Sequence, residues 1–145
     1  MTEPFVVKHD QEDGIENEQW MRDFVTFVRS ENTHVFFHHV YEYKKGLRNL
    51  ILHTTSQSNE AKIRAQLERK QIAYVIYPLG PDKINVFFGE SICVEVIKQI
   101  GKTDLTEYTD EEDFLLGIML GYDRKKQCER YLRRKRQCPT GQLIG

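Results

Sequence analysis

The sequence is short of most features that mark a specialised chain. Its 145 residues hold three cysteines, Cys93, Cys128 and Cys138, with no C-x-x-C pair and no closely spaced cysteine and histidine quartet. That argues against both a disulfide framework and a zinc module and suits a reducing compartment. Apolar runs such as Phe114 to Met119 fall far short of the ~20 residues that span a bilayer. The opening MTEPFVVKHDQED is acidic and lacks the apolar core of a signal peptide, so a soluble, cytoplasmic chain is expected. Net charge is also nearly absent: 21 Lys and Arg against 22 Asp and Glu leave −1, and any charge argument must be local. No Ser-His-Asp arrangement, glycine-rich phosphate loop or G-x-G-x-x-G string occurs. Carboxylates cluster only in solvated or capping runs, so there is no acid/base dyad, and neither an enzyme nor a cofactor is expected.

What is present suffices for one folded domain. Hydrophobic residues make up 39% of the chain and aromatics 11%. A chain of this length hides roughly 68 to 70% of its unfolded surface on folding. A single domain is expected over 16–136, between an acidic lead-in (1–15) and a tail (137–145) that lack periodicity and should be disordered. Within it, Trp20, Phe24, Phe27 and Val28 draw one stripe on a helix from Glu16 to Ser30. From His34 to Lys45, Phe36, Val40, Tyr43 and Leu47 recur at helical spacing, with a cap at Asn32 or Thr33 and a stop at Gly46. The same stretch is rich in aromatic and branched residues, and Lys44-Lys45-Gly46 suits a hairpin turn, so a strand stays open as the alternative.

Asn49 to Thr54 predicts a strand, and Glu60 to Gln71 a helix that turns Ile63 and Leu67 inward. Strands Ala73–Leu79 and Lys83–Phe88 follow, joined by the turn Gly80-Pro81-Asp82. A helix Ser91–Ile100 comes next, with Ile92, Val96, Ile97 and Ile100 inward and Gly101 closing it. The order β-α-β-β-α implies a parallel crossover plus an antiparallel hairpin. The expected fold class is therefore α/β (α+β), a small three-stranded mixed sheet flanked by N-terminal and C-terminal helices. Thr109 ahead of Asp110, Glu111 and Glu112 predicts a capped helix start, and the chain reads as helical to about Lys135. Gly117 and Gly121, four apart, offer one face for a close-packed neighbour, while Gly121-Tyr122-Asp123 is a candidate break.

Two constellations bear on function. Arg124 to Arg136 places eight cations, Arg124, Lys125, Lys126, Arg130, Arg133, Arg134, Lys135 and Arg136, against Glu129 alone, a net +7. Such a helix attracts an acidic protein, nucleic acid or an anionic membrane, unless its cations only complement its own C-terminal dipole. Nucleic acid is the weaker expectation, because residues 1–31 hold eight carboxylates against three cations and no reader motif is present. The candidate partner-binding residues are Arg124, Lys125, Lys126, Arg130, Arg133 and Arg134, with Tyr131 and Leu132 for apolar contact. Cys128 lies among these cations, which favour a thiolate, whereas Cys93 in an apolar stretch reads as a small buried side chain. The second constellation is His34, His38, His39 and Glu42, with His53 nearby. Imidazole and carboxylate at this spacing hold zinc or iron when the ligand count is complete. Here the count is short, and a polar face without metal is expected.

Residues Phe37 to Leu50 (FHHVYEYKKGLRNL), Leu52-His53-Thr54, Ile84 to Gly89 (INVFFG), Asp110 to Phe114 (DEEDF) and Gly121-Tyr122-Asp123 together resemble the bacterial family called domain of unknown function 2023, over about residues 34 to 133. The resemblance implies a small α/β protein with three strands and several helices, a homodimer, no catalytic residue to carry over, and an association with flavodoxin. The expectation is a non-enzymatic, homodimeric interaction module that docks an acidic electron-transfer protein such as flavodoxin through the basic helix. The alternatives are a metal-dependent or redox enzyme built on His34, His38, His39, Glu42 and His53, and a nucleic-acid-binding protein.

Overall fold

The structure, a computed structural model, describes residues 31–137. The acidic lead-in, the helix expected at Glu16–Ser30, Cys138 and nearly all of the tail lie outside the described residues. Helix α1 (Glu31–Lys44) settles the open choice over this stretch in favour of a helix. Phe36, Val40 and Tyr43 explain why: at i, i+4 and i+7 they share one helical face and pack into one cluster, whereas a strand would send Tyr43 to the opposite side. The helix stops where Gly46 takes φ +79° and the Leu47 N–H donates back to the Glu42 carbonyl. Leu47 therefore leaves the stripe and is exposed.

Strands β1 (Leu50–Ser56), β2 (Ala73–Leu79) and β3 (Lys83–Gly89) form one sheet in the order β1-β3-β2, with a 3-10 turn (Gln57–Asn59) and helix α2 (Glu60–Arg69) between β1 and β2. The expected hairpin is present with Leu79 opposite Lys83, and the α+β class is as expected. The mixed sheet is corrected: β1 and β2 do share a direction, but β3 lies between them and both pairings are antiparallel. Composition accounts for this order. Ile84, Val86 and Phe88 face one side of β3 while Asn85 and Phe87 face the other, and all five are buried, so this strand needs cover on both faces and both edges. Pro78 lacks the N–H that a central ladder demands and fits β2 to an edge.

Each face of the sheet carries one core. Phe36 and Val40 of α1 and Ile63 and Leu67 of α2 pack on Ile51, Ile84, Val86 and Phe88. Helices α3 (Ser91–Ile100) and α4 (Asp110–Met119) cover the opposite face, where Val94, Ile97, Leu116 and Leu120 meet Leu50 and Phe87. Each such side chain, fully buried, stabilises the fold by about 1.5–3 kcal/mol. Gly101 ends α3 at φ +70° as expected, but Ile92 is 74% exposed, because Val94 and Ile97 set the inward face. The break at Gly121-Tyr122-Asp123 is realised, and α5 (Arg124–Gln137) follows it. Gly117 and Gly121 do not form a docking face: Gly121 lies in the turn at φ +85°, and Gly117 is covered by Gln127 of α5. Among the described residues no helix is long and apolar enough to cross a membrane.

Candidate functional site

The site starts from the cap on α4. Thr109 Oγ1 accepts from the Glu112 N–H at 3.1 Å, and Glu112 Oε1 accepts from the Thr109 N–H at 3.0 Å, a reciprocal box that fixes the first turn. Glu112 is also tied to Lys102, which leaves Asp110, Glu111 and Asp113 to face elsewhere. After the Gly121 turn, α5 runs back antiparallel to α4. Gln127, Arg130, Tyr131 and Arg134, at i, i+3, i+4 and i+7, present one face to α4.

That face is held almost entirely by polar contacts. Arg130 grips Asp113 through Nε to Oδ2 at 2.7 Å and Nη2 to Oδ1 at 2.9 Å. Arg134 spans Asp110 (Nε to Oδ1, 2.9 Å) and Asp113 (Nη1 to Oδ1, 2.9 Å) and also donates to the Tyr108 carbonyl at 3.4 Å. Lys135 Nζ lies 2.9 Å from Glu111, whose carboxylate also accepts from the Tyr131 hydroxyl at 2.8 Å. Phe114 meets Tyr131 edge-on with ring centres 5.6 Å apart. The Arg130 hydrogen bonds hold the Asp113 carboxyl below its ordinary value, and Lys135 with Tyr131 bring Glu111 down to about 2. No residue of α5 belongs to either core cluster, and its one buried residue is the polar Gln127.

The opposite face of α5 carries Lys125, Lys126, Glu129, Leu132, Arg133 and Arg136. Lys125 pairs loosely with Glu129 at 3.9 Å. Arg124, Lys126, Arg133 and Arg136 are exposed and make no ion pair with the described residues. Leu132 among them is 47% exposed. Of the six residues expected to bind a partner, Arg130 and Arg134 are turned onto α4, Lys125, Lys126 and Arg133 face outward with Arg136, and Arg124 is exposed on the flank at the start of the helix. The sequence reading missed that Asp110, Glu111 and Asp113 serve as the seat of the basic helix besides capping their own. The available signal was the matching of Asp110 and Asp113, three apart, with Arg130 and Arg134, four apart, across a four-residue turn.

The histidines gather where α1 crosses β1. His38 Nε2 lies 3.1 Å from Glu42 Oε2, and Arg48 Nη1 reaches Glu42 Oε1 at 3.2 Å. His39 Nδ1 is 3.8 Å from the same carboxylate, beyond hydrogen-bond reach. His53, 3% exposed, lies under Phe36 and His39 with ring centres 5.6 and 5.7 Å away. Burial, reinforced by His39, drives the His53 pKa down to about 4, and burial with the nearby Arg48 lowers His39. Desolvation works to raise the Glu42 carboxyl, but the Arg48 hydrogen bond and the two histidines outweigh it and hold it low. His34 is exposed and makes no described contact with the others. Among the described residues no group of three or more His, Cys, Asp and Glu is placed to hold a metal ion. Arg48 takes the carboxylate that would have served as a ligand. Cys93 is half-buried, its thiol pushed up by that burial and by Glu90, and Cys128 is exposed.

Residues 34–134 match the family model described as protein of unknown function, DUF2023, and the chain belongs to that family. No curated protein matches it.

Proposed function

We propose that this member of the DUF2023 family is a non-enzymatic, homodimeric interaction module of the bacterial cytoplasm that docks an acidic electron-transfer protein, flavodoxin, through the outward face of α5. The observation that carries the reading is the set Lys126, Arg133 and Arg136, three cations left without ion-pair partners among the described residues, on the face that also carries the half-exposed Leu132. Exposed cations steer an acidic partner over a Debye length of ~10 Å at 0.1 M salt, and an apolar side chain at their centre supplies contact once the partner has arrived. The family resemblance supplies the identity of the partner. It also supplies the homodimer, for which Leu115 on α4 and Tyr122 in the α4–α5 turn, 41% and 54% exposed, are apolar surface available to a second copy.

The test is titration against the host's flavodoxin at 0.15 M salt, with wild type and with Lys126→Glu/Arg133→Glu/Arg136→Glu. These three side chains touch neither core nor α4, so the variant folds and loses the partner. A variant that binds as wild type does, or a wild type that does not bind, overturns the docking. Light scattering that returns 17.2 kDa at tens of micromolar overturns the dimer.

A further inference from the structure

The inward face of α5 is already bound, and what binds it is a template. We propose that this face is a cryptic docking surface for an acidic peptide, and that residues 109–114 of α4 occupy it in cis as a stand-in ligand; this rests on the reading that α5 docks an acidic partner. The complementarity is that of a bound ligand. Three carboxylates, Asp110, Glu111 and Asp113, meet three cations, Arg130, Arg134 and Lys135, while the Tyr131 hydroxyl takes a second bond to Glu111 and the Tyr131 ring meets Phe114. The recognised pattern is therefore a helix start with carboxylates at i, i+1 and i+3 and an aromatic ring at i+4.

Two features make the contact releasable. No side chain of α5 is a member of either apolar core, so the helix is held by polar contacts in place of core burial. Its hinge is Gly121 at φ +85°, with no atom within 4 Å of where a side chain would stand. The cis ligand has the advantage of a short tether, an effective concentration in the millimolar range, so a partner in trans succeeds only by presenting the same pattern at higher affinity. The acidic turn of α4 then sets a threshold: weakly acidic surfaces meet only the outward cations, and a matching acidic helix start displaces α4 and takes both faces of α5.

The probe is a labelled peptide with the sequence of residues 109–119, added to the full chain at 0.15 M salt. Neutralising the seat with Asp110→Asn/Glu111→Gln/Asp113→Asn should tighten peptide binding about tenfold, because the tethered competitor is gone. The charge control Asp82→Asn/Glu95→Gln/Glu60→Gln adds the same three units at side chains that pair with no residue of α5 and should change binding by less than about twofold, since exposed charges away from the seat are screened. Adding Arg130→Gln/Arg134→Gln to the seat variant should abolish the gain. Equal binding by seat variant and control overturns the inference. If the seat variant fails to fold, wild type decides: amide exchange across α5 should rise between 0.1 and 1 M salt while β3 stays protected, and α5 protection that ignores salt overturns the inference. Flavodoxin docking that is lost in Lys126→Glu/Arg133→Glu/Arg136→Glu, with no gain from neutralising the seat, rejects the cryptic surface and leaves the outward one standing. A seat-dependent peptide gain without flavodoxin docking rejects only the partner.

Discussion

Arg130 holds Asp113 by two guanidinium nitrogens at once, at 2.7 and 2.9 Å, and the same carboxylate accepts Arg134 at 2.9 Å. A helix that carries a net +7 in sequence is thus partly neutralised inside its own molecule, and its charge divides into a seated half and an outward half. The division decides which substitutions probe docking and which merely loosen the helix.

Asp113→Asn removes the negative charge that both arginines share and leaves one amide oxygen to accept, while Arg134 keeps Asp110. Because Arg130 is nearly half exposed, the expected loss is only about 0.5–1 kcal/mol, confined to α5. Amide exchange should accelerate from Arg124 to Gln137 with the sheet unaffected, and the difference from wild type should shrink at 1 M salt. The folded-state values of Asp113 and Glu111 are both lowered, so their contribution is complete above the ordinary carboxylate range and is lost as pH falls below it, for Glu111 toward about 2.

Gly117→Ala tests the other anchor of α5. A Cβ at Gly117 would stand 1.9 Å from Gln127 Nε2, so the gain in helix propensity of about 1 kcal/mol is outweighed by an overpacking cost of about 1–3 kcal/mol. Denaturant unfolding should show net destabilisation, and Gly117→Ala/Gln127→Ala should recover part of it. A single variant as stable as wild type would mean that Gln127 moves aside freely.

His53 should make the domain acid-sensitive well before the carboxylates do. The imidazole is buried neutral with its pKa lowered from 6.5 to about 4, so the unfolded chain takes up a proton that the folded chain refuses. Stability should fall as pH drops from 6.5 toward 4, by roughly 3 kcal/mol in full. His53→Leu should flatten that slope in urea titrations across the window; an unchanged slope would place the acid sensitivity elsewhere.

Gly89 closes β3 at φ +144°, and a Cβ there would lie 2.2 Å from the Asn49 carbonyl oxygen. Both backbone strain and the clash oppose a side chain, so Gly89→Ala should cost at least about 2 kcal/mol and fray the Leu50 end of β1. Thermal unfolding reads the cost, and exchange of the Leu50 amide locates it.

Legibility followed the range of the interaction. The hairpin from Ala73 to Gly89 was plain because Gly80-Pro81-Asp82 and the flanking apolar runs are local, and the Thr109 cap because its partner is three residues away. Strand order was not: βαβ logic gave the common direction of β1 and β2 but not the insertion of β3 between them, which depends on the apolar demand of Val86, Phe87 and Phe88 against Pro78. Phe36, Val40 and Tyr43 settle α1 only once a core exists to receive them. In the site, the basic stripe was visible, but the direction of each cation was not. Arg130 to Asp113 and Arg134 to Asp110 span 17 and 24 residues and exist only because the Gly121 turn folds α5 back. The histidines were seen as a group, whereas the diversion of Glu42 to Arg48 and the depth of His53 required the sheet beneath.

Docking through α5 is tested most directly by mapping amide exchange of the full chain at 0.15 M salt, alone and saturated with flavodoxin, with duplex DNA and with RNA in parallel. New protection with flavodoxin should fall on Arg124 to Gln137 around Leu132 and Arg133, and nucleic acid should bind more weakly. Protection confined to other elements, or tighter binding of DNA or RNA to the same helix, would contradict the assignment.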